Sequence, residues 1–273
     1  VNKKGRVVTS FSKKITCVTD SLGGLSYDPM EILYSVRSVC NDSLQYKSCR
    51  QDSIHSIGIV SDGYAVLGWD KESGAPIGPT ISVSCQRGKL YKESIESALY
   101  TTFKSDYFSD GLSIYSPLFK LKWLLASDEE IQLACKKRKL SFGTIETWIL
   151  FNLTGFLSYK TDFTHAASFH LFSMQMKSWD LKLLDELDFR EDFFPTIQPT
   201  QSCFGKTKGF VPIIDNIPIM VVVKKDQARF SGVKATQFGD ALLCYDRLNP
   251  SLFINLGLIS KPPFDIIEYP FAT

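Results

Sequence analysis

Apolar and polar residues alternate along several short segments in the first half of the chain. Such alternation predicts half-buried β-strands, because successive side chains of a strand point to opposite faces of a sheet. The predicted strands are residues 6–12, 15–19, 54–60, 64–69 and 79–83. A turn is predicted at residues 2–5, and residues 64–69 are predicted to pair with residues 54–60.

A helix is predicted to begin after the second strand, where three helix-start signals coincide. Asp28 can act as the N-cap, Pro29 suits the first helical position, and Glu31 can complete a capping box. The following apolar residues recur at helical spacing and are predicted to face a core: Ile32, Leu33, Val36 and Val39.

After the first strands, the rest of the chain is predicted to be mainly helical. Helices are predicted near residues 92–105, 119–126, 128–138, 144–153 and 179–187. The clearest of them, 144–153, places on one face Ile145, Trp148, Ile149 and Leu153. A continuous apolar run at 217–223 predicts a buried strand, so the whole order indicates a layered α/β fold.

Composition narrows the class of protein. Over 273 residues, hydrophobic residues make up 44% and charged residues 22%, ordinary values for a globular protein. A net charge of +2 favours no nucleic-acid partner. No apolar run has the length of a membrane span and no secretory segment is recognisable, so a cytoplasmic protein without membrane contact is expected. The seven cysteines lack zinc-site spacing and are expected to be free thiols.

Asp226 is the best catalytic candidate on position alone. The sequence has no glycine-rich phosphate loop, dinucleotide fingerprint or nucleophile elbow. Asp226 follows the buried strand 217–223, and open α/β sheets place reactive groups beyond the carboxyl ends of their strands. A carboxylate there can take a proton from a substrate hydroxyl during phosphoryl transfer. Two structural interpretations stay open: Asp226 caps a helix, or it neutralises Lys224 and Lys225.

A series of motifs in the right order resembles the glycerol kinases of the FGGY carbohydrate kinase family. The blocks are YDPMEI at 27–32, WDKESG at 69–74, the signature-like stretch at 115–124, FGTIETW at 142–148, LTG at 153–155, TDFT at 161–164, LF at 171–172 and the stretch ending in DQ at 218–227. The resemblance extends from about residue 5 to about residue 257.

The resemblance implies a fold and a reaction. The fold would be an α/β lobe of the actin-like ATPase or ribonuclease-H-like type, with a mixed sheet and flanking helices. The reaction would be ATP-dependent phosphorylation of glycerol or a related small polyol, with ATP and Mg²⁺ as cofactors. Asp226 aligns with the family's catalytic base and would also contact the metal. Three residues align with substrate-binding positions of the family: Tyr115, Asp226 and Gln227.

The chain departs from the family pattern at residues that bind substrate. Residues 61–65 stand where the family has N-Q-R-E-T, whose Arg and Glu contact glycerol hydroxyls. Gly63 and Tyr64 replace that pair, and Tyr64 can offer a single hydroxyl. Cys85 replaces the Asp of the family's W-Q-D-R-R stretch.

The departures continue at residues that bind phosphate. Lys225 replaces the Gly before the base, where a lysine favours the ionised carboxylate or binds a phosphate. Residues 246–248 align with a second phosphate loop and lack its glycines.

Two domains are expected. Residues 1–238 would form a substrate-side lobe that lacks the family's first strand and its phosphate loop. Residues 239–273 would form the truncated start of the second lobe.

Three interpretations of the chain's function remain: a polyol kinase with impaired activity, a non-catalytic pseudokinase lobe with a binding or regulatory role, or a fragment or incomplete gene model of a complete kinase. The second would act as a homo-oligomer or with a full-length kinase as partner.

Overall fold

The protein folds into strands and helices in both halves of the chain. A computed structural model describes residues 1–21, 23–46, 53–103, 112–235, 237–245 and 250–254. The strands are β1 Cys17–Thr19, β2 Leu25–Tyr27, β3 Ile57–Ser61, β4 Val66–Asp70, β5 Pro76–Ile81, β6 Leu140–Thr144, β7 Lys160–Asp162, β8 Phe172–Ser173, β9 Ser178–Trp179, β10 Thr196–Gln198, β11 Gln201–Lys206, β12 Pro218–Lys224, β13 Ala241–Tyr245 and β14 Pro250–Ile254. The helices are α1 Pro29–Leu44, α2 Lys92–Phe103, α3 Pro117–Ser127, α4 Glu129–Lys136, α5 Ile145–Leu153, α6 Phe163–Ala167, α7 Leu181–Glu186 and α8 Lys225–Gly232.

Two sheets form the framework. An antiparallel sheet has the strand order β1-β2-β5-β4-β6, and a mixed sheet has the order β11-β12-β3. In the mixed sheet β12 runs antiparallel to β11 and parallel to β3. Helix α5 contacts both β6 of the first sheet and β3 of the second. The predicted mixed sheet with flanking helices is therefore confirmed.

The predicted pairing between residues 54–60 and 64–69 is wrong. The two segments do form strands, but β3 pairs with β12, while β4 pairs with β5 and β6. The four residues between β3 and β4 carry the chain from one sheet to the other. Alternation identified the strands, but it could not identify partners that lie far away in sequence.

The predicted first strand, residues 6–12, is not a strand in the structure. The turn at residues 2–5 is present, closed by a hydrogen bond from the Gly5 N–H to the Asn2 carbonyl. The next segment lies exposed, with Val7 72% accessible, and among the described residues it has no strand partner. An alternating segment without a partner cannot form a ladder.

Helix α1 begins as predicted. Asp28 caps it by accepting from the Met30 N–H at 2.8 Å, and Pro29 is the first helical residue. Glu31 does not complete a capping box; its Oε1 accepts from the backbone N–H and the hydroxyl of Thr16. Glu31 therefore ties α1 to the segment before β1.

Two hydrophobic cores lie on opposite faces of β4. Val66 belongs to the first core, and Leu67 and Trp69 belong to the second. Helix α5 was predicted to bury one stripe, and Trp148 and Leu153 are indeed buried. The helix is buried more widely than a stripe, however, and the additional buried residues include Glu146, Thr147, Leu150 and Phe151.

None of the helices in the described part of the chain combines the length and apolar composition needed to span a bilayer. The six cysteines that the structure describes are free thiols, as predicted: Cys17, Cys40, Cys85, Cys135, Cys203 and Cys244.

Candidate functional site

The candidate site forms where two parallel strands end side by side. Lys224, the last residue of β12, lies opposite Ser61, the last residue of β3. The segments that follow, residues 62–65 and 225–227, therefore leave the sheet at the same edge. This carboxyl edge is where open α/β sheets bind ligands.

Asp226 occupies the first turn of α8. Lys224 is the N-cap of that helix, so the interpretation of Asp226 as its capping residue is wrong. The Asp226 side chain remains 25% accessible, and its Oδ1 lies 3.7 Å from Nη1 of Arg229. The carboxylate is thus held at the strand edge by a partly exposed ion pair and stays open to a ligand.

Gln227 lies next to Asp226 and presents an unsatisfied acceptor. Its Oε1 is buried and has no hydrogen-bond partner among the described residues. Buried polar atoms are almost always paired, and leaving one unpaired costs about 1–3 kcal/mol. A donor such as a ligand hydroxyl or a water molecule would satisfy this oxygen.

Tyr115 lies just before α3 and is half-buried. Its neighbour Ser116 donates a hydrogen bond to the Ser168 carbonyl at the end of α6, at 3.1 Å. Helix α6 in turn contacts β12, the strand that ends two residues before Asp226. Among the described residues no hydrogen bond or ion pair joins Tyr115 to Asp226. That both residues contact the substrate therefore stays a prediction.

A buried network of polar side chains holds the carboxyl end of β12 in place. Asp162 caps α6 and accepts hydrogen bonds from the hydroxyls of Thr164 (2.8 Å) and Thr200 (2.7 Å). The Thr164 hydroxyl also accepts from the backbone N–H of Lys224 at 2.9 Å. The network therefore fixes the end of β12, two residues before Asp226.

His165 links two carboxylates within this network. Its Nδ1 bonds to Asp162, and its Nε2 lies 2.9 Å from the Ser61 hydroxyl. Ser61 donates its own proton to Glu146 at 2.8 Å, so its oxygen accepts from the imidazole. Both ring nitrogens then carry protons, which makes His165 an imidazolium ion between Asp162 and Glu146.

The electrostatics agree with this assignment. Burial alone would lower the pKa of His165, but Glu146 and Asp162 outweigh it and raise the pKa above its ordinary value. Burial would raise the pKa of Asp162, but His165 and the Thr200 and Thr164 hydroxyls hold it below its usual range. Ser61, His165 and Asp162 follow one another as in a hydrolase triad, but a doubly protonated imidazole cannot take a proton from Ser61.

Two buried lysines surround Tyr64. Lys120 of α3 donates from Nζ to the Tyr64 carbonyl at 2.6 Å, and burial lowers the pKa of Lys120 to about 7. Lys224 donates from Nζ to the Tyr64 hydroxyl at 3.0 Å. Burial lowers the pKa of Lys224 to about 8, and Asp226 is the strongest of the carboxylates that oppose this shift.

The sequence did not single out Lys120, His165 or Lys224 as site residues. The available signals were local: an Asp-x-x-His spacing at the start of α6, and a lysine ending a buried apolar strand. Neither signal shows which distant residue the side chain meets, because Lys224 and Tyr64 lie 160 positions apart.

The positions that depart from the family pattern have defined surroundings where the structure describes them. Cys85 is buried and accepts from Nε of Arg87 at 3.0 Å. Residues 246–248 lie outside the described residues.

A cavity of about 580 Å³ lies between α2, α3 and α4. The candidate site residues Asp226, Tyr115 and Gln227 do not line it.

The described residues include no group of three or more His, Cys, Asp or Glu side chains placed to hold a metal ion. Asp226 would supply a single carboxylate. Mg²⁺ commonly keeps several waters and takes further ligands from substrate phosphates, so one protein carboxylate fits that mode of binding but does not build a metal cage.

The comparisons with known proteins agree on one family. Residues 1–227 match the FGGY family of carbohydrate kinases, N-terminal domain. The glycerol kinase of Clostridium botulinum (strain Langeland) is 31% identical over 247 residues, which cover 89% of this chain and 49% of the relative. The glycerol kinase of Shewanella sp. (strain ANA-3) is 29% identical over 239 residues, covering 88% and 48%. The chain therefore spans about half the length of these relatives.

Solved structures show the same fold. Plasmodium falciparum glycerol kinase with ADP superposes with a TM-score of 0.74 at 24% identity, covering 86% of this chain and 47% of that one. Xylulose kinase from Rhodospirillum rubrum superposes with a TM-score of 0.74 at 19% identity, covering 89% and 50%. The predicted actin-like, ribonuclease-H-like lobe is therefore confirmed as the fold.

Proposed function

The chain belongs to the FGGY family of carbohydrate kinases, and we propose that it binds a small polyol and presents one hydroxyl to Asp226 for phosphorylation by ATP. Glycerol is the first candidate, because several relatives are glycerol kinases. The chain spans about half of those relatives, so this activity is proposed for the site and not transferred from them.

The observation that carries the proposal is the pair Asp226 and Gln227 at the carboxyl edge of β12. The carboxylate is partly accessible, and the neighbouring Oε1 is buried without a partner among the described residues. One acceptor that can take a proton and one that needs a donor suit a ligand with several hydroxyls.

In the proposed reaction, Asp226 accepts the proton of a substrate hydroxyl as its oxygen bonds to the γ-phosphorus of ATP. The bond between that phosphorus and the bridging oxygen of ADP breaks, giving a phosphorylated polyol and ADP. The proton then passes from Asp226 to solvent. Gln227 would orient the substrate, and Tyr115 is proposed as a further contact.

ATP would bring Mg²⁺, which neutralises charge on the transferred phosphoryl group. Asp226 is the residue that we propose to face the metal. The other ligands would come from phosphates and water, since the described residues form no metal cage.

Two measurements test the proposal. Calorimetry measures binding of glycerol and a panel of related polyols, and a coupled assay measures ADP formation with Mg²⁺ and ATP. Asp226→Asn should lower turnover by about 10²–10⁴-fold, the usual contribution of a general base, while polyol affinity changes much less. Asp185→Asn, at an exposed position of α7, is the matched control and should behave as wild type.

Each outcome has a defined consequence. Absence of binding to every polyol would refute the proposed function. Turnover that survives Asp226→Asn would refute the role of Asp226. Polyol binding without turnover would instead favour the non-catalytic binding lobe.

A further inference from the structure

The cavity between α2, α3 and α4 has the size of a small-molecule site. It encloses about 580 Å³, and pockets that hold small ligands commonly enclose about 300–1,000 Å³. Helices α3 and α4 each contribute three lining residues, which are Lys122, Leu125 and Ala126 on α3 and Gln132, Cys135 and Lys136 on α4. Both sets have the i, i+3, i+4 spacing of a single helix face, so each helix presents one face to the cavity.

The cationic side chains of the lining gather at one end of the cavity. Lys122 Nζ donates to the Leu187 carbonyl at 2.6 Å. Three residues further along the chain, Arg190 Nη1 donates to the carbonyl of Cys135 at 3.5 Å, and Cys135 is followed by Lys136. The segment after α7 therefore brings all three cations to the same end.

The remaining wall of the cavity is largely apolar. Ile95 of α2 is 4% accessible and Phe193 is 2% accessible. Leu125 packs against the same hydrophobic core as these two residues. A ligand that placed an apolar body against this wall would gain from removing apolar surface from water.

The charges at the cationic end do not cancel. Arg190 is neutralised by Asp192, whose carboxylate accepts from Nε of Arg190 at 2.9 Å. Among the described residues, the lining contains a single carboxylate, the exposed Asp188. Two lysines and one aspartate remain, so this end has an excess of one positive charge. Charge complementarity favours a ligand with one negative charge.

The two lysines lack a full counter-ion. Lys122 uses one of its three N–H groups on the Leu187 carbonyl and lies 5.0 Å from the centre of the Phe189 ring. Burial lowers the pKa of Lys122, and Asp188 opposes that shift only in part. In the described part of the chain, neither Lys122 nor Lys136 forms an ion pair. A ligand carboxylate at this end would supply the missing counter-charge through charge-assisted hydrogen bonds.

We propose that this cavity is a binding site for a small amphipathic monoanion, namely a monocarboxylate with an aromatic or aliphatic body. The carboxylate lies at the end that carries Lys122 and Lys136, and the body lies against the apolar wall. The inference is independent of the proposed function, because the candidate site residues lie outside the lining of this cavity.

The first test compares matched probes by calorimetry on the whole chain. The reference probe is 4-phenylbutyrate. Its alcohol, 4-phenyl-1-butanol, has the same body without the charge, and acetate has the charge without the body. Each of these two should bind at least about tenfold more weakly, the scale of losing the charged hydrogen bonds or the apolar contact. A doubly charged head, in 4-phenylbutyl phosphate, should gain nothing over the carboxylate.

The second test locates the site with variants at exposed lining positions. Ala126→Trp should fill the cavity without disturbing the core and weaken 4-phenylbutyrate at least about tenfold. Lys136→Gln should weaken 4-phenylbutyrate by about tenfold and leave 4-phenyl-1-butanol unchanged. The matched control is Lys137→Gln, at the next residue, which is exposed and outside the lining, and it should bind as wild type does. Urea unfolding checks that each variant is folded.

Several outcomes would overturn the inference. No saturable binding of 4-phenylbutyrate by wild type would remove the site, and undiminished binding by folded Ala126→Trp would place the ligand elsewhere. Equal affinity for the alcohol, or clearly higher affinity for the phosphate, would refute the ligand class. None of these results bears on polyol binding, which tests the proposed function separately.

Discussion

His165 is a buried charged residue that joins two helices next to the candidate site. It is fully buried, bonds to Asp162 at the start of α6, and lies 3.6 Å from a Glu146 oxygen at the start of α5. Removing one member of a buried ion network leaves the others uncompensated, at a cost of about 3–5 kcal/mol. The imidazolium is thus expected to stabilise the folded protein and not to catalyse.

We predict that His165→Asn lowers the free energy of unfolding by several kcal/mol near neutral pH and that the loss depends on pH. The pKa of folded His165 is raised above its ordinary value of 6.5. Its contribution is therefore complete below about pH 6.5 and decreases as the pH rises through the raised value. Urea unfolding of both proteins from pH 5.5 to pH 9 measures the difference.

The carboxylates around His165 do not reverse this sign. The pKa of Asp162 is lowered, so its contribution is lost only when the pH falls through that lowered value, below the range measured. A difference between wild type and His165→Asn that stays constant or grows with pH would contradict the assignment of an imidazolium ion.

At the scale of single residues, the sequence pointed to Asp226 and Gln227 as candidates but not to the residues that surround them. Asp226 follows a buried strand, which is a local signal, and the resemblance pointed to the same two residues. His165 and Ser61 are separated by 104 positions, and their contact exists only because α6 packs against the β3–β12 edge. Local patterns carry no information about such pairs.

Among elements, helices were predicted more accurately than strand partners. Helix α1 began at Pro29 as expected, because the signals for a helix start lie within four residues. Strand β3 was recognised by its alternation, but its partner β12 lies at residues 218–224, and that pairing depends on the packing of the whole chain. Elements stabilised by neighbours in sequence are predictable from sequence alone, and elements paired across the chain are not.

The short 3₁₀ turn at Arg87–Tyr91 packs so closely on α3 that one glycine is required there. A Cβ at Gly88 would lie 2.5 Å from the carbonyl carbon and oxygen of Phe119, which are backbone atoms and cannot rotate away. Gly88→Ala should therefore force the two elements apart and lower stability by about 1–3 kcal/mol.

A matched glycine separates packing from backbone entropy. Gly232 ends α8, and a Cβ there meets nothing within 4 Å. Gly232→Ala should be neutral or stabilise the protein by about 0.4–1 kcal/mol, because alanine restricts the unfolded chain. Chemical unfolding compares the two variants, and equal effects would show that the contact between the 3₁₀ turn and α3 is looser than the structure indicates.

At the scale of the whole molecule, two cores share one sheet. Consecutive residues of β4 enter different cores, Val66 the first and Leu67 the second. Strand β4 thus covers one side of each core. If β4 separated from one core, the other core would be exposed to solvent as well. The described part of the chain is therefore expected to unfold as one cooperative unit, although it matches only about half the length of its relatives.

Paired substitutions test this cooperativity. Leu118 in the first core and Leu150 in the second are both fully buried. Leu118→Ala and Leu150→Ala should each lower stability by about 2–5 kcal/mol through lost burial and a residual cavity. Because the cores share β4, both variants should shift the same single transition in calorimetry and in urea unfolding followed by tryptophan fluorescence.

The control is Leu133→Ala, at a position of α4 that is 51% accessible. This variant should change the free energy of unfolding by less than about 0.5 kcal/mol. Two separate transitions, each sensitive to one variant, would mean that β4 belongs to one core and merely touches the other.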